Sequence, residues 1–120
     1  MLRKPSLKVT VTTDTGRSEQ LVLLSGKLMG SPEGYTLLDD TREKIQEGFN
    51  QVIVDLTAVT LINSAGAGVL AAMLTSAKRR EGKLVLIGLN DRTRRVLEFM
   101  NLDQVVAFCE TLEEARGEDA

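Results

Sequence analysis

Leu7, Val9 and Val11 alternate with Lys8, Thr10 and Thr12, the period of two that marks a strand with one solvated face and suits a sheet edge. Asp14, Thr15 and Gly16 supply turn chemistry, and residues 21–24 read as a second strand stopped at Ser25 and Gly26. The two predict a hairpin. Beyond the turn-rich residues 30–34, Leu37, Leu38, Thr41, Ile45 and Phe49 recur at helical spacing, with Asp39, Asp40, Glu43, Lys44 and Glu47 on the other side. Residues 51–56 then form a short, continuously apolar, β-branched run of the kind buried on both faces of a parallel sheet.

The second half repeats that alternation of helix and strand. From Ser64 to Arg80 a helix places Val69, Leu70, Met73, Leu74 and Ala77 on one stripe, and Glu81-Gly82 ends it. Residues 83–88 are another buried-type strand. Asp91 is expected to cap a helix whose core side is Thr93, Val96, Leu97 and Met100, and residues 105–109 to form the last strand. Thr111 and Glu114 have capping-box spacing for a terminal helix that frays into the acidic Glu118-Asp119 tail. The order β-β-α-β-α-β-α-β-α predicts a single α/β domain: a mixed sheet of about five strands, hairpin first, with about four helices, its core within residues 7–115 and a tail at 116–120.

Composition narrows the chemistry. The chain has 120 residues and no histidine, which excludes imidazole-dependent catalysis and histidine-based zinc sites. The single cysteine, Cys109, cannot form an intramolecular disulfide, so a cytoplasmic setting is expected and Cys109 reads as a small buried hydrophobe. Fifteen Lys and Arg against 17 Asp and Glu give a net charge of −2, too balanced for a nucleic-acid footprint, and the aromatics are too few to stack on bases. The basic residues 1–6 lack the apolar run of a signal peptide, and the longest small and apolar stretch, residues 65–74, is about half the ~20 residues of a membrane span. Neither export nor membrane insertion is expected, and the runs Lys78-Arg79-Arg80 and Arg92, Arg94 and Arg95 read as solvated helix surfaces.

The informative segment is residues 55–70. Asn63 and Ser64 stand where the chain enters a helix, and either side chain can accept a hydrogen bond from the free N–H groups of the first turn. The positive end of a helix also tolerates a phosphate on the serine hydroxyl. Ala65, Gly66, Ala67 and Gly68 put almost no bulk around that hydroxyl. The structural alternative is that Ser64 is only a cap and the glycines only permit close packing, although a glycine in a helix costs up to about 1 kcal/mol relative to alanine. A formal rival is the G-x-G-x-x-A match at residues 66–71, with Asp91 after the next strand, near where a ribose-binding acid would fall. That fold needs its first glycine directly after a strand, and the strand predicted here ends roughly nine residues before Gly66.

Val54-Asp55-Leu56, the apolar pair Leu61-Ile62, and Asn63-Ser64-Ala65-Gly66-Ala67-Gly68-Val69-Leu70 resemble the signature of the STAS domain family, the fold of bacterial anti-sigma factor antagonists. Gly26-Lys27-Leu28, Gly82-Lys83-Leu84-Val85-Leu86 and residues 96–102 extend the likeness over residues 7–115. The resemblance implies a non-enzymatic protein without cofactor or metal, a monomer or weak dimer, in which Ser64 is the phosphoacceptor. Its implied partners are a serine kinase that is itself the anti-sigma factor, bound by the unphosphorylated form, and a PP2C-type phosphatase that resets the switch. The implied contact surface is Met29 and Gly30, the loop Leu61-Ile62-Asn63, and Ser64, Ala65, Gly66 and Gly68 of the helix start. Leu61, Ile62 and Met29, if exposed together, would be its apolar patch. The chain carries Asn63 where family members usually have aspartate, and Met29 where they often do. The alternatives are a STAS scaffold or transporter-associated subunit that binds without phosphorylation, and a small nucleotide-binding protein.

Overall fold

The computed structural model describes residues 6–117; residues 1–5 and the Glu118-Asp119 tail lie outside the described residues. The elements are β1 (Leu7–Asp14), β2 (Glu19–Leu28), α1 (Pro32–Gln46), β3 (Gln51–Ile62), α2 (Ser64–Lys78), β4 (Lys83–Ile87), α3 (Asp91–Phe99), β5 (Ala107–Cys109) and α4 (Leu112–Arg116), with 3₁₀ turns at Thr15–Arg17 and Leu102–Gln104. The strands lie in the order β1-β2-β3-β4-β5; β1 is antiparallel to β2 and all later pairs are parallel. This is the mixed five-stranded sheet with four helices that the apolar pattern predicts.

Two layers of apolar side chains hold the sheet. On one face Val22, Leu24, Val52, Val54, Leu56 and Leu86 pack with Leu37 and Ile45 of α1, Leu70 and Met73 of α2 and Leu97 of α3. Alternate residues of the same strands, Ile53, Val85 and Ile87, point the other way and meet Ala115 and Leu112 of the five-residue α4. Each such side chain fully buried contributes about 1.5–3 kcal/mol. The short α4 is also held by polar contacts. Arg116 donates from Nε and Nη2, one edge of its guanidinium, to the two carboxylate oxygens of Glu19, at 2.9 and 2.7 Å, and Lys83 Nζ donates to the carbonyl of Ala115 at 3.2 Å.

Several boundaries differ from expectation, each for a local reason. β2 does not stop at Ser25-Gly26 but continues to Leu28, because Gly26 takes φ +106, a conformation only glycine adopts easily, and keeps the strand in the sheet. β3 does not stop at Leu56. It runs to Ile62 through two register shifts, each giving β3 one residue more than β2. The first is pinned by Asp55, whose Oδ1 accepts from Thr57 N at 2.9 Å and from Thr57 Oγ1 at 2.6 Å.

Further along, α3 is capped by Asn90, whose Oδ1 accepts from Thr93 N at 2.8 Å; Asp91 is the first helical residue instead. Thr93 and Leu97 are buried, but Met100 lies past the helix end and is exposed. The last strand is only Ala107–Cys109, since residues 105 and 106 leave the Leu102–Gln104 turn, Val105 exposed and Val106 buried. Thr111 Oγ1 accepts from Glu114 N as the cap of α4, while the Glu114 carboxylate accepts from Glu110 N. At the hairpin, hydrogen bonding to the Arg17 side chain holds the Asp14 carboxyl below its ordinary value.

Candidate functional site

β2 and β3 end side by side, Leu28 opposite Ile62, and each feeds a fifteen-residue helix. Met29, Gly30 and Ser31 separate β2 from α1, whereas Asn63 alone separates β3 from α2. Ser31 Oγ accepts from Gly34 N at 3.4 Å, and Asn63 Oδ1 accepts from Gly66 N at 2.8 Å. The two capped N-termini therefore form one rim at the carboxyl ends of the parallel strands.

Sequence spacing leaves the cap to either Asn63 or Ser64, and the structure gives it to Asn63. Ser64 is the first helical residue, exposed, and its hydroxyl makes no hydrogen bond among the described residues. Because Asn63 is neutral, it caps the helix without setting a negative charge next to that hydroxyl.

Small residues bring the two helix starts together. A Cβ on Gly66 would lie 2.1 Å from the Leu28 carbonyl oxygen, so α2 rests directly on the end of β2. A Cβ on Gly30 would lie 2.8 Å from Ala65 Cβ and 3.5 Å from the Tyr35 hydroxyl, so the first turn after β2 lies against the first turn of α2. Gly68 has nothing within 4 Å of the corresponding position and is exposed. Alanine there is expected to stabilise the domain by about 0.5–1 kcal/mol, read as a higher midpoint in thermal denaturation, because it removes unfolded-state freedom without a clash.

Of the residues assigned to a contact surface, Gly30, Ser64, Ala65 and Gly68 are exposed and Met29, Leu61 and Asn63 are half-buried. Gly66 and Ile62 are interior, Ile62 at 3% exposure, because β3 continues to its end and turns that side chain into the core. Leu61 and Ile62 thus belong to a strand and not to a loop, and the apolar patch of Leu61, Ile62 and Met29 does not form. The apolar surface at the rim comes instead from Tyr35, 54% exposed beside Gly30, which helical periodicity gave no reason to single out. Its one mark in the sequence is being the chain's single tyrosine, just inside a helix start.

Other candidates resolve simply. Lys78, Arg79, Arg80, Arg92 and Arg95 are exposed, while the guanidinium of Arg94 sits 5.4 Å above the Phe108 ring. Cys109 is half-buried against the smaller apolar cluster. The glycines of the G-x-G-x-x-A match lie inside α2 and form no phosphate loop: the Gly66 N–H is taken by Asn63. The spacing from Leu56 that argued against a nucleotide site loses its force, since the strand reaches Ile62, and this use of the Gly66 N–H takes its place. Among the described residues no group of three or more acidic or cysteine side chains is placed to hold a metal ion, and no helix is long and apolar enough to cross a membrane.

Comparison with known proteins agrees with this fold. The family model described as STAS domain matches residues 32–115, from the start of α1 into α4. The chain belongs to the STAS domain family. A Thermotoga neapolitana protein named as an anti-sigma factor antagonist homologue is 34% identical over 76 residues, 63% of this chain and 67% of its own length. The anti-sigma-B factor antagonist of Listeria monocytogenes is 34% identical over 67 residues, 56% of this chain and 59% of its own. The anti-sigma factor antagonist SpoIIAA in its unphosphorylated form aligns with a TM-score of 0.77 at 19% identity, over 90% of this chain and 92% of that one. The phosphorylated form of Bacillus SpoIIAA aligns with a TM-score of 0.65 at 19% identity, over 94% and 100%. At that identity the likeness is one of fold.

Proposed function

We propose that this chain is a non-enzymatic, cytoplasmic anti-sigma factor antagonist whose Ser64 is phosphorylated by the anti-sigma kinase it binds, a PP2C-type phosphatase restoring the unphosphorylated form. The observation that carries the reading is the division of labour at the start of α2: Asn63 does the capping, so the Ser64 hydroxyl stays exposed and unbonded. The names of the Thermotoga and Listeria relatives and the two forms of SpoIIAA support it.

A phosphate on Ser64 adds about −1.5 to −2 charges and three acceptor oxygens beside free N–H groups of a helix N-terminus, where its own chain tolerates it. Packed under a partner, the same charge must shed water beside the small, apolar Ala65 and Gly30, which have no side-chain donor to compensate it. Affinity therefore falls without refolding.

Intact-mass analysis after co-expression with a serine kinase encoded beside this chain is expected to show a gain of about 80 Da at Ser64, absent from Ser64→Ala. Ser64→Glu is expected to bind that kinase at least about tenfold more weakly than wild type, a loss of about 1.4 kcal/mol or more. Equal affinity of Ser64→Glu and wild type, with no phosphate on Ser64, would leave the unmodified scaffold reading in its place.

A further inference from the structure

β1 is the longer of the two edges of the sheet, the other being the three-residue β5: it pairs with β2 on one side and, among the described residues, with no strand on the other. Five of its eight residues are β-branched, it contains no proline, and between Lys8 and Asp14 it carries no charge. Proteins normally protect an edge with such interruptions, and here they stand only near its ends. A hollow of about 400 Å³ flanks β1 on each face of the sheet. One lies between Leu7 and Val9 and the α1 residues Pro32, Glu33, Thr36 and Asp40. The other is lined by Lys8, Thr10, Leu23, Ser25, Asp55 and Thr57. Val9 and Leu23 are 37% and 41% exposed. A strand laid alongside β1 would turn successive side chains toward the two hollows in alternation.

The charges at the two ends of β1 specify which strand fits. We propose that β1 of a second copy occupies this edge, antiparallel about a two-fold axis at Val11. Val11 then faces its own counterpart, Thr10 faces Thr12, Val9 faces Thr13, and Lys8 faces Asp14, all with their original sheet faces preserved. Lys8 has no carboxylate within ion-pair distance in its own chain, among the described residues, and Asp14 is kept ionised by Arg17. The Lys8–Asp14 pairs occur twice by symmetry and set the register more than the affinity. Glu33 and Asp40 line the hollow beside Leu7 and Val9 in each copy and add like charge near the seam, so the association is weak. The axis reverses strand direction, which leaves the two Ser64 rims pointing away from each other. The proposal is independent of what happens at Ser64.

Sedimentation of the full chain up to about 2 mM is expected to show a reversible dimer with a dissociation constant of about 0.1–1 mM, the weak range suited to a small interface. Thr10 and Thr12 are exposed and face each other across the axis, so they test the register without disturbing the core. Thr10→Lys with Thr12→Lys sets lysine against lysine and is expected to weaken the dimer at least about tenfold. Thr10→Glu with Thr12→Lys sets glutamate against lysine and is expected to keep wild-type association. Circular dichroism of both variants checks that they fold. Wild type sedimenting as a monomer throughout, including the case in which this edge receives a strand of some other protein, overturns the proposal. So does equal association of the two variants.

Discussion

Gly66→Ala is expected to lower stability by about 3 kcal/mol and the thermal midpoint by about 10 °C or more, the upper range for overpacking in a domain of this size. The added methyl would lie 2.1 Å from the Leu28 carbonyl oxygen and 2.7 Å from its carbon, with Ile62 Cγ1 at 3.2 Å. Two of these three atoms are backbone in a parallel ladder, so the clash cannot be relieved by a side-chain rotation. α2 must lift from the end of β2, and the Asn63 cap and the Ser64 rim lift with it. Gly68→Ala, two residues on, is the internal control, since it meets nothing. A thermal denaturation series of wild type and the two variants checks both; similar midpoints for the two would show that α2 does not sit on β2 as described.

Arg116→Ala is expected to cost about 2–3 kcal/mol, below the full range for breaking a buried ion pair because the Arg116 side chain is about one-fifth exposed. Its partner is not exposed: Glu19 sits at 3%, at the start of β2, and loses both charge-assisted hydrogen bonds at once. Without them the five-residue α4 is left with a few apolar contacts and the Lys83–Ala115 hydrogen bond to keep it over Ile53, Val85 and Ile87. Replacing both members, Glu19→Met with Arg116→Met, is expected to recover much of the loss, because no carboxylate is left stranded. Urea denaturation of the single and double variants checks this. A single variant as stable as wild type would mean that the pair adds nothing.

What the sequence reveals depends on whether the governing signal is local. The edge character of β1 follows from a strict alternation, and the double-sided burial of residues 52–54 follows from an unbroken β-branched run. The tail of β3 was illegible for a physical reason. Each extra residue in β3 shifts the alternation, so the inward positions fall at Leu56, Val59 and Ile62, a spacing of three that imitates neither a strand nor a full helical stripe. That error placed Ile62 on a surface it does not reach.

At the rim, the sequence located the right turn but could not divide the cap from the free hydroxyl. Asn63 and Ser64 are both good capping residues, and only backbone geometry decides between them. Tyr35 joins the rim because two helices start side by side, which no window of the chain contains. Glu19 and Arg116 lie further still beyond any local signal.

Those last two residues are 97 apart in the chain, so their ion pair can form only when nearly all of the described chain is available. While the protein is being made, the hairpin and the first crossovers can assemble as they emerge, but the rear of the sheet stays bare until residue 116 has cleared the ribosome. Until α4 docks, Ile53, Val85 and Ile87 have no helix over them, so that side of the core closes only with the C-terminal residues.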